Sequence, residues 1–197
     1  AGREVPLRVT GWDALPAVLA RIQAPVFPDR DFPSTNYGAR AGTDSSAAIA
    51  AAIDACTKAG GGRVVVPPGE WLTVAITLKS NVNLHVAEGA TLRWLFEPAR
   101  YPIVFTRWEG VELMNYQAFI YAFGQENIAI TGKGTLDGGA DWANWWAWNR
   151  RAPGPSDPQS PQRPARNKLI EMGEKNVPVA ERVFGEGSFL RPNFIQP

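Results

Sequence analysis

The chain has 197 residues, 20 basic and 19 acidic, for a formal net charge of +1. That length buries one core and makes a single domain the expectation, while the near-neutral balance excludes a global field aimed at a polyanionic partner. A single cysteine excludes an intrachain disulfide, and no apolar run approaches the roughly 20 residues that span a bilayer.

Residues 1–30 read as an N-terminal extension. Ala1 opens no signal-peptide pattern, which fits a mature chain, a trimmed one or a cytoplasmic protein. Trp12, Leu15, Val18, Leu19 and Ile22 fall at helical spacing around Pro16, and Pro25, Pro28 and Pro33 hold the chain extended. After the turn Asn36-Tyr37-Gly38-Ala39, Asp44 or Ser45 caps a helix whose apolar positions are Ala48, Ile49, Ala52, Ile53 and Cys56. Cys56 on that face reads as a small buried thiol. Gly60-Gly61-Gly62 stops the helix and Val64-Val65-Val66 opens a strand. One short helix followed only by strands predicts a helix laid over the open end of a β-structure, hiding its first unpaired edge.

Strands are predicted over 64–66, 72–76, 82–86, 91–95, 119–123 and 127–131. Asn81-Val82-Asn83-Leu84 followed by Gly89, Thr91 and Leu92 is echoed by Asn127-Ile128-Ala129-Ile130 followed by Gly134, Thr135 and Leu136. Such an echo predicts a solenoid in which each coil buries its apolar side against the next. Period-two alternation sends Val82, Leu84 and Val86 to one side, Asn83 and His85 to the other. From 137 to 168 four tryptophans (Trp142, Trp145, Trp146, Trp148) precede a proline-rich, basic run carrying Arg150, Arg151, Arg163, Arg166 and Lys168. This reads as a long excursion from the solenoid, with a strand returning at Leu169-Ile170-Glu171-Met172, and a solvated loop is the plainer reading of its basic residues than galacturonate recognition.

The stretch 36–92 resembles the N-terminal part of the polygalacturonases of glycoside hydrolase family 28. So do Thr106-Arg107-Trp108-Glu109-Gly110, Asn127 to Gly138 and Gly187 to Gln196. The resemblance implies an all-β fold over 31–197: a right-handed parallel β-helix (pectin lyase-like solenoid) with an N-terminal capping α-helix. It implies a secreted or periplasmic enzyme that cuts α-1,4-galacturonan in pectin with inversion and without a metal or other cofactor. Exo-action is favoured over endo-action because the excursion is placed to wall off one end of the cleft. The family's Asn-Thr-Asp, Asp-Asp, Gly-His-Gly and Arg-Ile-Lys motifs do not occur in these 197 residues. No catalytic residue carries over, the C-terminal catalytic coils are expected to be absent, and this chain alone is expected to be inactive. A missing C-terminal segment completing the β-helix is an expected partner.

Candidate substrate-binding residues are Arg107, Trp108, Glu109, Tyr116, Trp145 and Arg191. Residues 106–110 read as a loop between strands, where Arg107 suits a bidentate pair with a sugar carboxylate and Trp108 suits stacking on a ring. An Arg107–Glu109 or Arg107–Glu112 brace is the plainer reading. Asn115, Tyr116 and Gln117 follow on the same stretch. Trp142, Trp145, Trp146 and Asn149 sit at helical spacing, so most pack on the solenoid wall while one or two reach a groove. Asp137 reads as a turn residue and His85, the only histidine, as a solvent-facing strand residue.

The expected partner is thus an acidic polysaccharide (pectin or oligogalacturonate), with no nucleic acid and no membrane. The alternatives are a non-catalytic β-helix that binds acidic polysaccharide, and a structural β-helix of the tailspike or adhesin kind. A calcium-dependent pectate lyase is less favoured, because no calcium-binding carboxylate cluster is seen.

Overall fold

The computed structural model describes residues 11–149 and 160–197; Arg150 and Arg151 of the basic run lie outside them. The extension carries one short helix, α1 (Leu15–Leu19), none of whose residues is buried. Strand β1 (Asp31–Pro33) and helix α2 (Ser46–Lys58) follow. Three coils come next. The first runs β2 (Gly62–Val66), β3 (Gly69–Thr73) and β4 (Ile76–Thr77). The second runs β5 (Val82–Val86), β6 (Ala90–Trp94), a hairpin of β7 (Ile103–Trp108) and β8 (Val111–Tyr116), then β9 (Ile120–Tyr121). The third runs β10 (Ala129–Gly132), β11 (Thr135–Asp137), α3 (Trp145–Asn149), α4 (Arg163–Glu174) and β12 (Ile195–Gln196).

Equivalent strands of successive coils pair in parallel, giving the sheets β1-β2-β5-β10, β3-β6-β11 and β4-β9-β12. The register stacks like on like. Val64 pairs with Leu84 and Leu84 with Ile130; Trp71 pairs with Leu92 and Leu92 with Leu136. Ile76, Ile120 and Ile195 form a third row. Val64, Leu84 and Leu92 are fully buried, and each such side chain stabilises the fold by about 1.5–3 kcal/mol.

The predicted helix stripe is the buried one: Ala48, Ile49, Ala52, Ile53 and Cys56 enter the same core as Val64 and Val66. The predicted echo is also in register. Asn127 Nδ2 donates to Asn81 Oδ1 at 3.1 Å, and both residues are left-handed, with φ of 52° and 65°. Asparagine tolerates that conformation better than other side chains, so it marks the corner of each coil.

Three readings need correction. Leu169-Ile170-Glu171-Met172 is not a strand but part of α4, where Ala165, Leu169 and Met172 share one face at helical spacing against Leu113, Phe184 and Leu190. Residues 106–108 end a strand rather than lying in a loop. The excursion continues past 168 to β12, and a second one, the hairpin, leaves the preceding coil at the same corner between the second and third sheets.

Charge ladders tie the outer faces. Asp31 pairs with Arg63 at 2.7 Å, and Arg93 bridges Asp137 at 2.8 Å and Glu70 at 2.9 Å. The Arg63 hydrogen bond holds the Asp31 carboxyl below its ordinary value, and the Gly139 N–H followed by Arg93 does so for Asp137. A carboxyl depressed on folding contributes stability above its unfolded pKa of 3.8, lost as pH falls through that value and the lower folded one. Melting temperature should therefore drop as pH is lowered below about 4, and Asp137→Asn should flatten part of the slope. A melting temperature indifferent to pH between 6 and 3, on the scale where carboxylates titrate, would contradict it.

Candidate functional site

The two excursions build the site. In the hairpin, Trp108 pairs with Val111 across a two-residue turn in which Glu109 and Gly110 both have positive φ, 46° and 86°. Such a turn matches the right-handed twist of the flanking strands. Alternation along β7 then separates neighbours. Thr106 is buried and bonded to Gln196, whereas Arg107 points outward and donates to Glu112 at 2.9 Å.

Helix α3 is started by polar side chains. Asp141 Oδ1 accepts from the Ala143 N–H at 2.7 Å, and Asn144 Oδ1 accepts from the Trp145 N–H. Trp145 is then driven into an aromatic nest. Its ring centroid lies 4.7 Å from Phe96, 5.0 Å from Trp148 and 5.7 Å from Phe119 and from Tyr101. Its indole Nε1 is buried and finds no partner among the described residues. Helix α4 is docked at its base by Gln162 Nε2, which donates to Asn149 Oδ1 at 2.7 Å, and over the hairpin by Arg166, 2.7 Å from Glu109.

Between these parts lies a groove of three adjoining hollows. A cavity of 380 Å³ is lined by Trp108, Glu109, Trp145, Trp146, Arg191 and Phe194, among others. A larger one of 670 Å³ shares Trp108, Glu109 and Arg191 and adds Arg163, Arg166 and Asn167. A third of 290 Å³ lies between Trp142, Trp146, Asn149 and Arg191. Arg191 lines all three.

Of the six candidates, Trp108, Glu109, Trp145 and Arg191 are thus brought together from three separate stretches. Arg107 and Tyr116 do not line the groove. Arg107 makes the brace with Glu112, on the far face of its strand. Tyr116 is 5% exposed, 5.9 Å from Trp148, and burial pushes its hydroxyl pKa up. Arg107→Ala is expected to change stability by no more than about 1 kcal/mol, as for an exposed ion pair; a larger loss in a urea melt would contradict this placement. Sequence reasoning left Arg166 in the basic run and named Trp146 only among tryptophans of which one or two reach a groove. The i, i+4 spacing of Trp142 and Trp146 was the available signal, and their rings meet edge to face at 5.5 Å. His85 lies on the first sheet's outer face, its Nδ1 2.9 Å from Thr131 Oγ1. Asp137 is a turn and ladder residue.

Chemically, the groove offers aromatic surface, guanidinium groups and one carboxylate. Among the described residues lining the three hollows, only Glu109 is acidic, and it is engaged by Arg166. Among the described residues no group of three or more His, Cys, Asp or Glu side chains is close enough to hold a metal ion. No described helix is long and apolar enough to cross a membrane.

No protein-family profile matches the chain. The crystal structure of a hyperthermoactive exopolygalacturonase from Thermotoga maritima superposes with a TM-score of 0.86 at 43% identity, over 93% of this chain and 42% of that one. A family 28 exopolygalacturonase from Yersinia enterocolitica superposes at 0.51 and 29% identity, over 56% of this chain and 21% of that one. The chain matches part of the family 28 exopolygalacturonases. An exo-poly-alpha-D-galacturonosidase from Dickeya chrysanthemi is 35% identical over 114 residues, 53% of this chain and 19% of that protein. The chain therefore spans less than half the length of the exopolygalacturonases it matches. The match to the Thermotoga protein takes in nearly all of this chain, so the two excursions that form the groove lie largely within it.

Proposed function

We propose that the groove binds galacturonic-acid rings, and that the whole protein is a secreted or periplasmic polygalacturonase-like hydrolase acting on α-1,4-galacturonan in pectin. The observation that carries this is the convergence of Trp108, Trp145 and Trp146 with Arg191 in one groove. Aromatic faces suit the apolar side of a pyranose, and a guanidinium fork suits its carboxylate. The exopolygalacturonase activities of the relatives support the same substrate.

Parallel crossovers within one sheet are right-handed in nearly all proteins, so the coils are taken as right-handed, with α2 as their cap. Both excursions rise at one corner, which favours a cleft closed at one end and so exo-action. Ile195 is 45% exposed and Ile130 and Leu136 are half-buried, which favours further coils stacking on the third. Inversion needs two carboxyl groups about 6.5–9.5 Å apart. Glu109, committed to Arg166, does not supply such a pair.

The 197-residue chain is accordingly expected to be retarded by polygalacturonate in an affinity gel without releasing reducing ends. Arg107→Ala should be retarded equally. Release of reducing ends by the purified chain would overturn its inactivity, and unretarded migration would overturn the binding site. The non-catalytic reading uses the same groove. It predicts binding without turnover even for the whole protein.

A further inference from the structure

We propose that residues 11–26 form a strap whose apolar face docks on the outer wall of coils that follow β12. It rests on reading the chain as part of a longer solenoid. It gives the N-terminal extension a partner, which the groove and its sugar do not.

The course of the segment sets where it goes. The Arg30 carbonyl accepts from the Arg63 N–H at 2.8 Å, beside the first coil. The Val26 carbonyl accepts from Asn127 Nδ2 at 2.9 Å, at the corner of the third. Two coil spacings are about 10 Å and four extended residues reach about 13 Å, so the chain crosses the stack rather than following a coil. Pro25 and Pro28 keep it extended there. Upstream of Val26 the same course leads past the third coil.

What lies upstream is apolar and uncovered. Trp12, Leu15, Leu19 and Ile22 recur at helical spacing, yet Trp12 is 87% exposed and Ile22 68%. Helix α1 buries none of its residues. From 11 to 26 only Asp13 and Arg21 are charged, so this is not a solvated face. A five-residue helix is far short of the roughly 12–15 residues that hold alone in water, so it needs a surface beneath it.

The matching surface opens at the same corner. A hollow of 220 Å³ between β9 and β10 is lined by Leu78, Ile120, Ile128, Ile130 and Ile195, among others. Asn127, which holds Val26, stands in the turn between those two strands. Two apolar surfaces left open at one corner have a common remedy. A fourth coil fills the hollow from within, and it and its successors underlie the strap from outside. The exopolygalacturonases are long enough to carry such coils, since this chain spans less than half of them.

Hydrogen exchange of the whole protein and of the 197-residue chain tests this. Amides of residues 17–22 should exchange at least about tenfold more slowly in the whole protein, as those of a docked segment do. Leu19→Asp in the whole protein should restore the fast rate while turnover of polygalacturonate stays unchanged. A whole protein that hydrolyses polygalacturonate but exchanges these amides as fast as the 197-residue chain would overturn the strap and leave the functional reading intact. Slow exchange in a whole protein without hydrolysis would support the strap and overturn the functional reading. Slow exchange in the 197-residue chain itself would overturn the strap. It would assign the segment to the three coils present or, where protection rises with concentration, to a second copy.

Discussion

Trp145→Ala is expected to lower stability by about 3–5 kcal/mol and to abolish sugar binding. Trp145 is 3% exposed and packs against four aromatic rings drawn from both excursions and from the wall beneath them. Removing it empties the contact between α3 and the hairpin side of the groove, so Trp146 and Trp108 lose their fixed separation. Trp145→Phe separates the two effects. It keeps most of the packing but deletes the buried Nε1–H, which has no partner among the described residues. If that N–H serves the sugar, the phenylalanine variant melts near wild type yet binds more weakly. Urea melts and galacturonate titrations of both variants decide the matter, and an alanine variant with wild-type binding would refute the placement of the groove.

Gly132→Ala is expected to cost about 3–5 kcal/mol, the sum of a clash with the backbone of the neighbouring strand and a strained backbone. Gly132 ends β10 and pairs with Val86 of β5, with φ of 106°. A Cβ there would lie 1.9 Å from the Val86 carbonyl oxygen, a backbone atom that cannot swing away. The collision falls where the third coil stacks on the second, so the loss appears as unzipping of the parallel ladder. A urea midpoint within error of wild type would show that the coils do not stack in this register.

Much of the solenoid could be read from residue pattern, because its signals are local. The stripe Ala48, Ile49, Ala52, Ile53 and Cys56 is buried as its spacing requires. Strand 82–86 has the bounds and the alternation that its sequence predicts. The repeat at Asn81 and Asn127 was visible because each coil needs a residue that accepts positive φ at the same corner. The hairpin was missed because its turn is Glu109-Gly110 rather than Asn-Gly or Asp-Gly, the pairs that announce such turns. Helix α4 was mistaken at Leu169 to Met172 because a run of three apolar residues and one glutamate has no decisive period. Only the face shared with Ala165 reveals it.

The site was half legible. Trp108, Trp145 and Arg191 announce sugar-binding chemistry singly, but their meeting depends on two insertions folding against each other, which no local spacing records. Arg107 and Trp108 are adjacent in sequence and opposite in space, so a motif read as one unit is divided by the strand that carries it. Arg166 looked like part of a solvated run; on α4 it becomes the partner of Glu109.

A crystal structure of the chain with digalacturonate is expected to show one ring against Trp108 and Trp146 with its carboxylate toward Arg191, inside the 380 Å³ cavity. Sugar bound elsewhere on the solenoid, with that cavity empty at saturating ligand, would contradict it.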